Sequence, residues 1–372
     1  MKKIAVLAVT LALLGGCQGA PEGPTTEKPA SPQKAASSQE AAPQAEKTSQ
    51  VKEETTAQTK EQKETSSTKS AEKTLVDYFP PQAQGQRVYT SDGMEFSSFT
   101  ETIDFTSDNL RQTRENNGGT SLLKLYAISP EEVSLRAQMP EFYVHENYLD
   151  RLKDQEKQKI LLQAPLQVGH KWAVPTGERE IKSLDASIDT PAGAFTNILV
   201  VEEHLEGQST LEYYAPQTGL VKKVEKLAQG EGDPLEVTTE LSAENKHFTE
   251  TVTFYPVEEA GTPATDQISI TTNDPLKKRL LKPYQEAGTL PASSDILSLY
   301  SHRDQGDQNR EVAVDFSEAV KELKNAEGLE ALLKTIAHYY QVDKLYVSAA
   351  GQAFTSANGT SYSPTEASPI SN

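Results

Sequence analysis

Cysteine is nearly absent. The 372 residues hold one, Cys17, which excludes an internal disulfide and any cluster of thiolate metal ligands. Positive charge is also short: 36 Lys and Arg face 54 Asp and Glu, a net charge of -18. Nucleic acid needs a basic footprint, so it is excluded as a partner, and anionic lipid offers such a chain no electrostatic hold. Long apolar runs are missing too. The longest, Ile4–Leu14, is far below the ~20 residues that a membrane-spanning helix requires. The six histidines show no HxxxH or HxH spacing, so no histidine metal site is signalled. Gly-x-Ser-x-Gly, P-loop and dinucleotide glycine fingerprints do not occur. From 18 to 74 there is no aromatic residue, and Val51 is the only branched aliphatic one. Such a stretch cannot bury enough apolar surface to offset the entropy of ordering.

What is present begins with Met1-Lys2-Lys3, the short apolar run, and Leu14-Gly15-Gly16-Cys17. A basic start, a short apolar core and small residues are the layout of a secretory signal. Leu14, Gly15, Gly16 and Cys17 resemble the lipobox of bacterial lipoproteins. That resemblance implies removal of residues 1–16 and diacylation of Cys17, hence attachment to the extracytoplasmic face of the cell membrane through lipid. Two acyl chains hold stably where one does not. Residues 17–74 then read as the lipidated cysteine and a disordered tether. As a flexible chain it has an end-to-end distance of roughly 40 Å, and ~190 Å drawn out.

From Leu75 to about 247 the text reads as successive strands. Phe99, Ile103 and Phe105 alternate with polar residues, as do Val133, Leu135 and Ala137. Asn116-Asn117-Gly118-Gly119 and Thr190-Pro191-Ala192-Gly193 are turn signals, and Tyr213 to Val221 reads as a hairpin. A meander this long must curl to bury one face. A helical insertion is expected over 146–158. Pro165 to Trp172, Asp189 to Phe195 and Tyr213 to Lys222 resemble the β-rich half-barrel of Bacillota lipoproteins, related in shape to LolA-like lipid carriers. Trp172 is read as a packing residue.

Beyond a boundary near 244–250 the pattern becomes mixed, in the order ββαββαβ over 250–351. Strands are expected at 252–256, 267–272, 295–302, 310–316 and 344–351. Asn273-Asp274-Pro275 reads as the capped start of a helix with Leu276, Leu280, Leu281 and Tyr284 on its apolar face and Pro283 ending or bending it. Leu329, Leu332, Leu333, Ile336, Ala337 and Tyr340 mark the clearest amphipathic helix. The expected fold class is α+β: an antiparallel half-barrel, then a small layered domain with helices on one sheet face. Residues 352–372 show no core-forming pattern and read as a disordered tail. Val252 to Tyr255, Leu276 to Pro291 and Val312-Ala313-Val314-Asp315-Phe316-Ser317 resemble a GerMN domain, a ring-building-motif-like module of bacterial envelope proteins. The resemblance implies a role in spore-envelope or cell-wall assembly and germination, without catalysis.

Asp304–Asn309 lacks the ligand alternation of a calcium loop and reads as a hairpin turn. Asp315 and Ser317, at a strand end, suit backbone capping better than catalysis. The expected function is therefore a non-catalytic interaction module, without cofactor or metal, whose partner is an envelope protein or cell-wall component. Asp315, Lys334 and His338 are its candidate contact residues. The alternative is a carrier or sensor of lipid or another apolar ligand in the β-rich domain.

Overall fold

The computed structural model describes residues 73–92, 94, 96–229, 233–258, 261–302 and 310–370. The lipobox, Cys17 and the expected tether up to 72 lie outside the described residues, as does the expected turn at 304–309.

Six strands run as one meander: β1 (Gly85–Asp92), β2 (Phe99–Thr106), β3 (Leu110–Asn116), β4 (Ser121–Ile128), β5 (Glu132–Met139) and β6 (Lys159–Gln163). Six more form a second: β7 (Lys171–Val174), β8 (Gly177–Thr190), β9 (Gly193–Leu205), β10 (Gln208–Ala215), β11 (Gly219–Leu227) and β12 (Leu235–Asn245). They are joined where β1 pairs antiparallel with β12, giving one twelve-stranded sheet with β6 and β7 at its two edges. The expected half-barrel is thus a nearly closed, barrel-like sheet. Trp172 on β7 bridges the remaining gap, its buried indole N–H donating to Ile160 O on β6 (3.1 Å). A short helix, α1 (Leu75–Tyr78), sends Leu75 and Tyr78 into the same apolar cluster as Trp172, Leu162 and Val201.

Turn chemistry sets the hairpins. Asn117 Oδ1 accepts the N–H groups of Gly119 and Thr120, which fixes the β3–β4 reversal. The β10–β11 turn needs positive φ at Gln217 (64°) and Gly219 (98°). The long β8–β9 hairpin curls until the Ala192 N–H reaches Leu241 O on β12 (3.1 Å).

Strands β2 and β3 depart from the alternating pattern, since Thr102–Phe105 and Arg111–Arg114 are buried without interruption. Burial on both faces explains it. One face of β2–β5 lines the barrel interior. Phe105, Leu123, Leu125, Ala137 and Met139 share a core with the C-terminal elements.

Those elements are the hairpin β13 (Phe248–Phe254) and β14 (Ala264–Ile270), helix α3 (Leu276–Glu286), β15 (Ile296–His302), β16 (Glu311–Phe316), a 3₁₀ turn (Glu318–Glu322), α4 (Glu327–Tyr340) and β17 (Lys344–Ala349). This is the expected order, and the apolar faces of α3 and α4 are buried as read. Four details differ. The β13–β14 hairpin is a separate sheet, and β15, β16 and β17 belong to another, of four strands. Its fourth strand, β20 (Ser368–Pro369), comes from the supposed tail, which also forms β18 (Phe354–Thr355) and β19 (Ser361–Tyr362), with Phe354 and Tyr362 buried. Helix α3 continues through Pro283, because the carbonyl left without a partner belongs to exposed Arg279. The insertion expected over 146–158 keeps one helical turn, α2 (Leu149–Leu152).

Candidate functional site

Titratable groups converge in two places, one on each face of β2–β5. On the outer face lies a buried seam between the barrel and the C-terminal elements. Arg114 on β3 bonds Asp104 of β2 through Nε (2.6 Å) and Nη2 (2.9 Å), and Nη2 also bonds Glu250 of β13. Tyr339 of α4 donates its hydroxyl to the other Glu250 oxygen (2.8 Å) and accepts the His145 N–H (2.8 Å). His145 places Nδ1 against Asp104 Oδ1 (2.7 Å) and Nε2 against Asp274 O (2.9 Å). Both ring nitrogens therefore face oxygen atoms of the fold. Asp104, His145 and Glu250 have the donor set and closeness of a metal site. The guanidinium of Arg114 sits between the two carboxylates and supplies the positive charge there.

Burial alone would raise the Asp104 carboxyl. The charge of Arg114 and the His145 contact overcome it and hold the group below the usual carboxylate range. Nearby, Glu146 completes the open edge of β15: its two oxygens accept the Ser301 N–H and hydroxyl (both 2.7 Å), and Arg151 lies 3.2 Å away. Here burial prevails and the carboxyl is raised. A raised carboxyl adds stability at low pH and loses it as pH climbs through the folded value. Substitution Glu146→Gln is therefore expected to leave stability flatter between about pH 4 and 7 than in the wild type. Urea midpoints across that range measure it, and parallel curves for the two proteins refute it.

On the inner face, strands from both meanders enclose a cavity of about 240 Å³. Its walls mix rings (Phe79, Tyr89, Tyr126, Tyr214) with charge: Lys124, Lys159, Arg179 and Lys223 against Glu101, Glu115 and Glu212. Ion pairs occupy most of that charge. Lys124 meets Glu115 (2.6 Å), Lys159 meets Glu203 (2.6 Å), and Arg179 meets Glu212. Desolvation of Glu212 is outweighed by the Arg179 charge and the Tyr214 hydroxyl, leaving its carboxyl at about 2. Next to the cavity the Arg111 guanidinium carbon lies over the Phe79 ring, 3.6 Å from its centre, with no carboxylate in ion-pair reach among the described residues, and desolvation lowers it to about 10.

The residues proposed for contact lie elsewhere. Asp315, at the end of β16, accepts the Ser348 hydroxyl (2.6 Å) and the Gly351 N–H (2.8 Å), a capping role. His338 is exposed on α4 with Nδ1 3.4 Å from the Tyr255 hydroxyl. Lys334 is half-buried between two surface grooves, one toward Tyr255–Pro263 and one toward Tyr362 and Ile370. Among the described residues no hydrogen bond or ion pair joins Asp315 to either of them. Neither charged cluster was marked in the sequence. Asp104 and Arg114 are ten residues apart on neighbouring strands, but His145 and Glu250 join them from 41 and 136 residues away, and Arg179 and Glu212 belong to no motif.

No protein-family profile matches the chain, and no curated protein matches it. Solved structures with some likeness include a protein described as exported, with a YmcC-like fold, from Bacteroides fragilis (13% identity, 45% of this chain and 98% of that one, TM-score 0.28). Two others are described as lipoproteins. One is from Clostridium perfringens (16% identity, 33% and 87%, TM-score 0.20) and one from Parabacteroides distasonis (13%, 44% and 97%, TM-score 0.25). TM-scores this low carry no argument about function. Among the described residues no helix is long and apolar enough to cross a membrane.

Proposed function

We propose that the chain is a lipid-anchored envelope protein, held at the extracytoplasmic face through Cys17, whose folded part binds an envelope protein or cell-wall component. One observation supports binding over catalysis. Where carboxylates, guanidinium and imidazole converge beneath the C-terminal elements, every group is already engaged in holding two parts of the fold together. The seam ties the C-terminal elements to the barrel, and the groove beside Lys334, about 730 Å³, is the surface this reading assigns to the partner. Sporulation and germination have no support in the structure or in the similar proteins. The charged inner wall also weighs against the apolar-carrier reading, since a hydrocarbon would strip the ion pairs of polar contact without replacing it.

The anchor is tested by Cys17→Ser. The wild type is expected to take up radiolabelled palmitate and sediment with membranes, and the variant to do neither; equal sedimentation of both would sink the proposal. The contact surface is tested in intact cells by a photoreactive residue at Lys334, with one at exposed Lys226 on the barrel as control. A discrete cross-linked product specific to 334 supports the reading, and identical patterns at the two positions oppose it.

A further inference from the structure

The wall of the barrel cavity includes a guanidinium with donors that nothing among the described residues uses. The Arg179 side chain is 1% exposed, and its Nη2 is taken by Glu212. Its Nε lies 3.5 Å from Glu203, too far for a hydrogen bond, and Nη1 has no acceptor among the described residues. Leaving such donors unmade in a buried site is unfavourable, and more so for a charged group. Lys159 is drawn to Glu203 and the Tyr214 hydroxyl to Glu212, so neither partner carboxylate has turned its remaining capacity toward Nη1.

Charge and shape narrow what could meet it. Each lining cation has a carboxylate: Lys124 meets Glu115, Lys159 meets Glu203, Arg179 meets Glu212 and Lys223 meets Glu225. Arg111, beside the cavity, has none in ion-pair reach among the described residues, so one negative charge would be matched there, whereas a dianion would face the three lining carboxylates. The walls also offer ring faces and the side chains of Leu135, Leu161 and Leu220, which suits an apolar body better than a bare inorganic ion. The 240 Å³ equals the room of about eight waters at ~30 Å³ each, just below the ~300 Å³ where drug-sized sites begin. Exposed Gln138 on the lining brings the cavity to the surface.

We propose that this cavity binds a small organic carboxylate, its oxygens taking the free Nη1 donors of Arg179 and its apolar body lying against Tyr126 and Tyr214. Guanidinium suits the task because its planar donors match a carboxylate and its charge persists when buried. The site is independent of the anchor and of the Lys334 surface, and either can fail alone.

Benzoate is the probe and benzamide its neutral counterpart, each titrated calorimetrically into the full chain extracted in mild detergent. Benzoate is expected to bind saturably, and benzamide at least tenfold more weakly. Arg179→Lys, which keeps the charge and loses the planar donor, should weaken benzoate at least tenfold. Because that change touches a buried ion pair and could upset folding, Leu161→Trp is the second variant. It fills the cavity from β6 without altering a charge, and should abolish binding of both probes while leaving the circular dichroism unchanged. The proposal is overturned if benzoate fails to bind at millimolar concentration, which would assign water to the Nη1 donors. Equal affinity for benzamide would overturn it too, as would undiminished binding by Leu161→Trp.

Discussion

Replacing Arg114 with methionine is expected to destabilise the protein by about 3–5 kcal/mol, the usual cost of removing one partner from a buried ion pair. The side chain fits the space, so the loss is electrostatic. Asp104 and Glu250, both buried, would keep their desolvation cost and lose the guanidinium that offsets it. The pH dependence identifies the cause. In the wild type the Asp104 carboxyl is held below its ordinary value. Its contribution is full above the unfolded carboxyl pKa near 3.9 and disappears as pH falls through the lower folded value. In Arg114→Met that source of acid sensitivity should vanish, so the gap between the two proteins narrows as pH drops from 7 toward 3. Because Leu123 and Leu125 of β4 lie in one core with α4, barrel and C-terminal elements should unfold in a single transition. A loss under 1 kcal/mol, or a gap that widens in acid, would contradict the role given to the seam.

Deleting residues 352–372 should cost about 3–6 kcal/mol, taking ~1.5–3 kcal/mol for each of two buried aromatic side chains. Phe354 and Tyr362 pack ring on ring at 5.2 Å inside the shared core. The same segment satisfies backbone groups: Val347 N–H donates to Ser363 O (3.2 Å) and Ile370 N–H to Asp343 O (2.8 Å). Without β20, the edge of β17 is open, an invitation to pair with another chain. The truncated protein is therefore expected to show a lower urea midpoint and concentration-dependent aggregation on warming. Unfolding within 1 kcal/mol of the full chain would show that the segment is an ornament on the sheet.

These two effects concern the parts least legible in the sequence. Helix α4 was legible because six apolar residues at helical spacing all face the core. Strand β16 was legible because alternation survives there, with Val312, Val314 and Phe316 on the buried face. The tail was not, since strands of two residues have no period to detect. Asn273 and Asp274 read as a helix cap and do other work: Asn273 Oδ1 accepts the Thr106 N–H (2.9 Å) across to β2, and Asp274 binds Arg279 (3.0 Å). Local propensity was overridden there by a tertiary contact. The charged groups inside the barrel left no mark in the sequence for a related reason: alternation tells which residues share a face and not which face is enclosed.

The pairing of β1 with β12 has a consequence for how the protein comes into being. Gln86 lies opposite Asn245, about 160 positions later, a separation that makes closure slow compared with neighbouring hairpins. At roughly 5–20 residues per second of synthesis, β1 is made ~8–30 s before its outer neighbour exists. During that interval its free edge can template pairing with other chains. The nascent chain thus has to be shielded or kept extended until its second meander arrives.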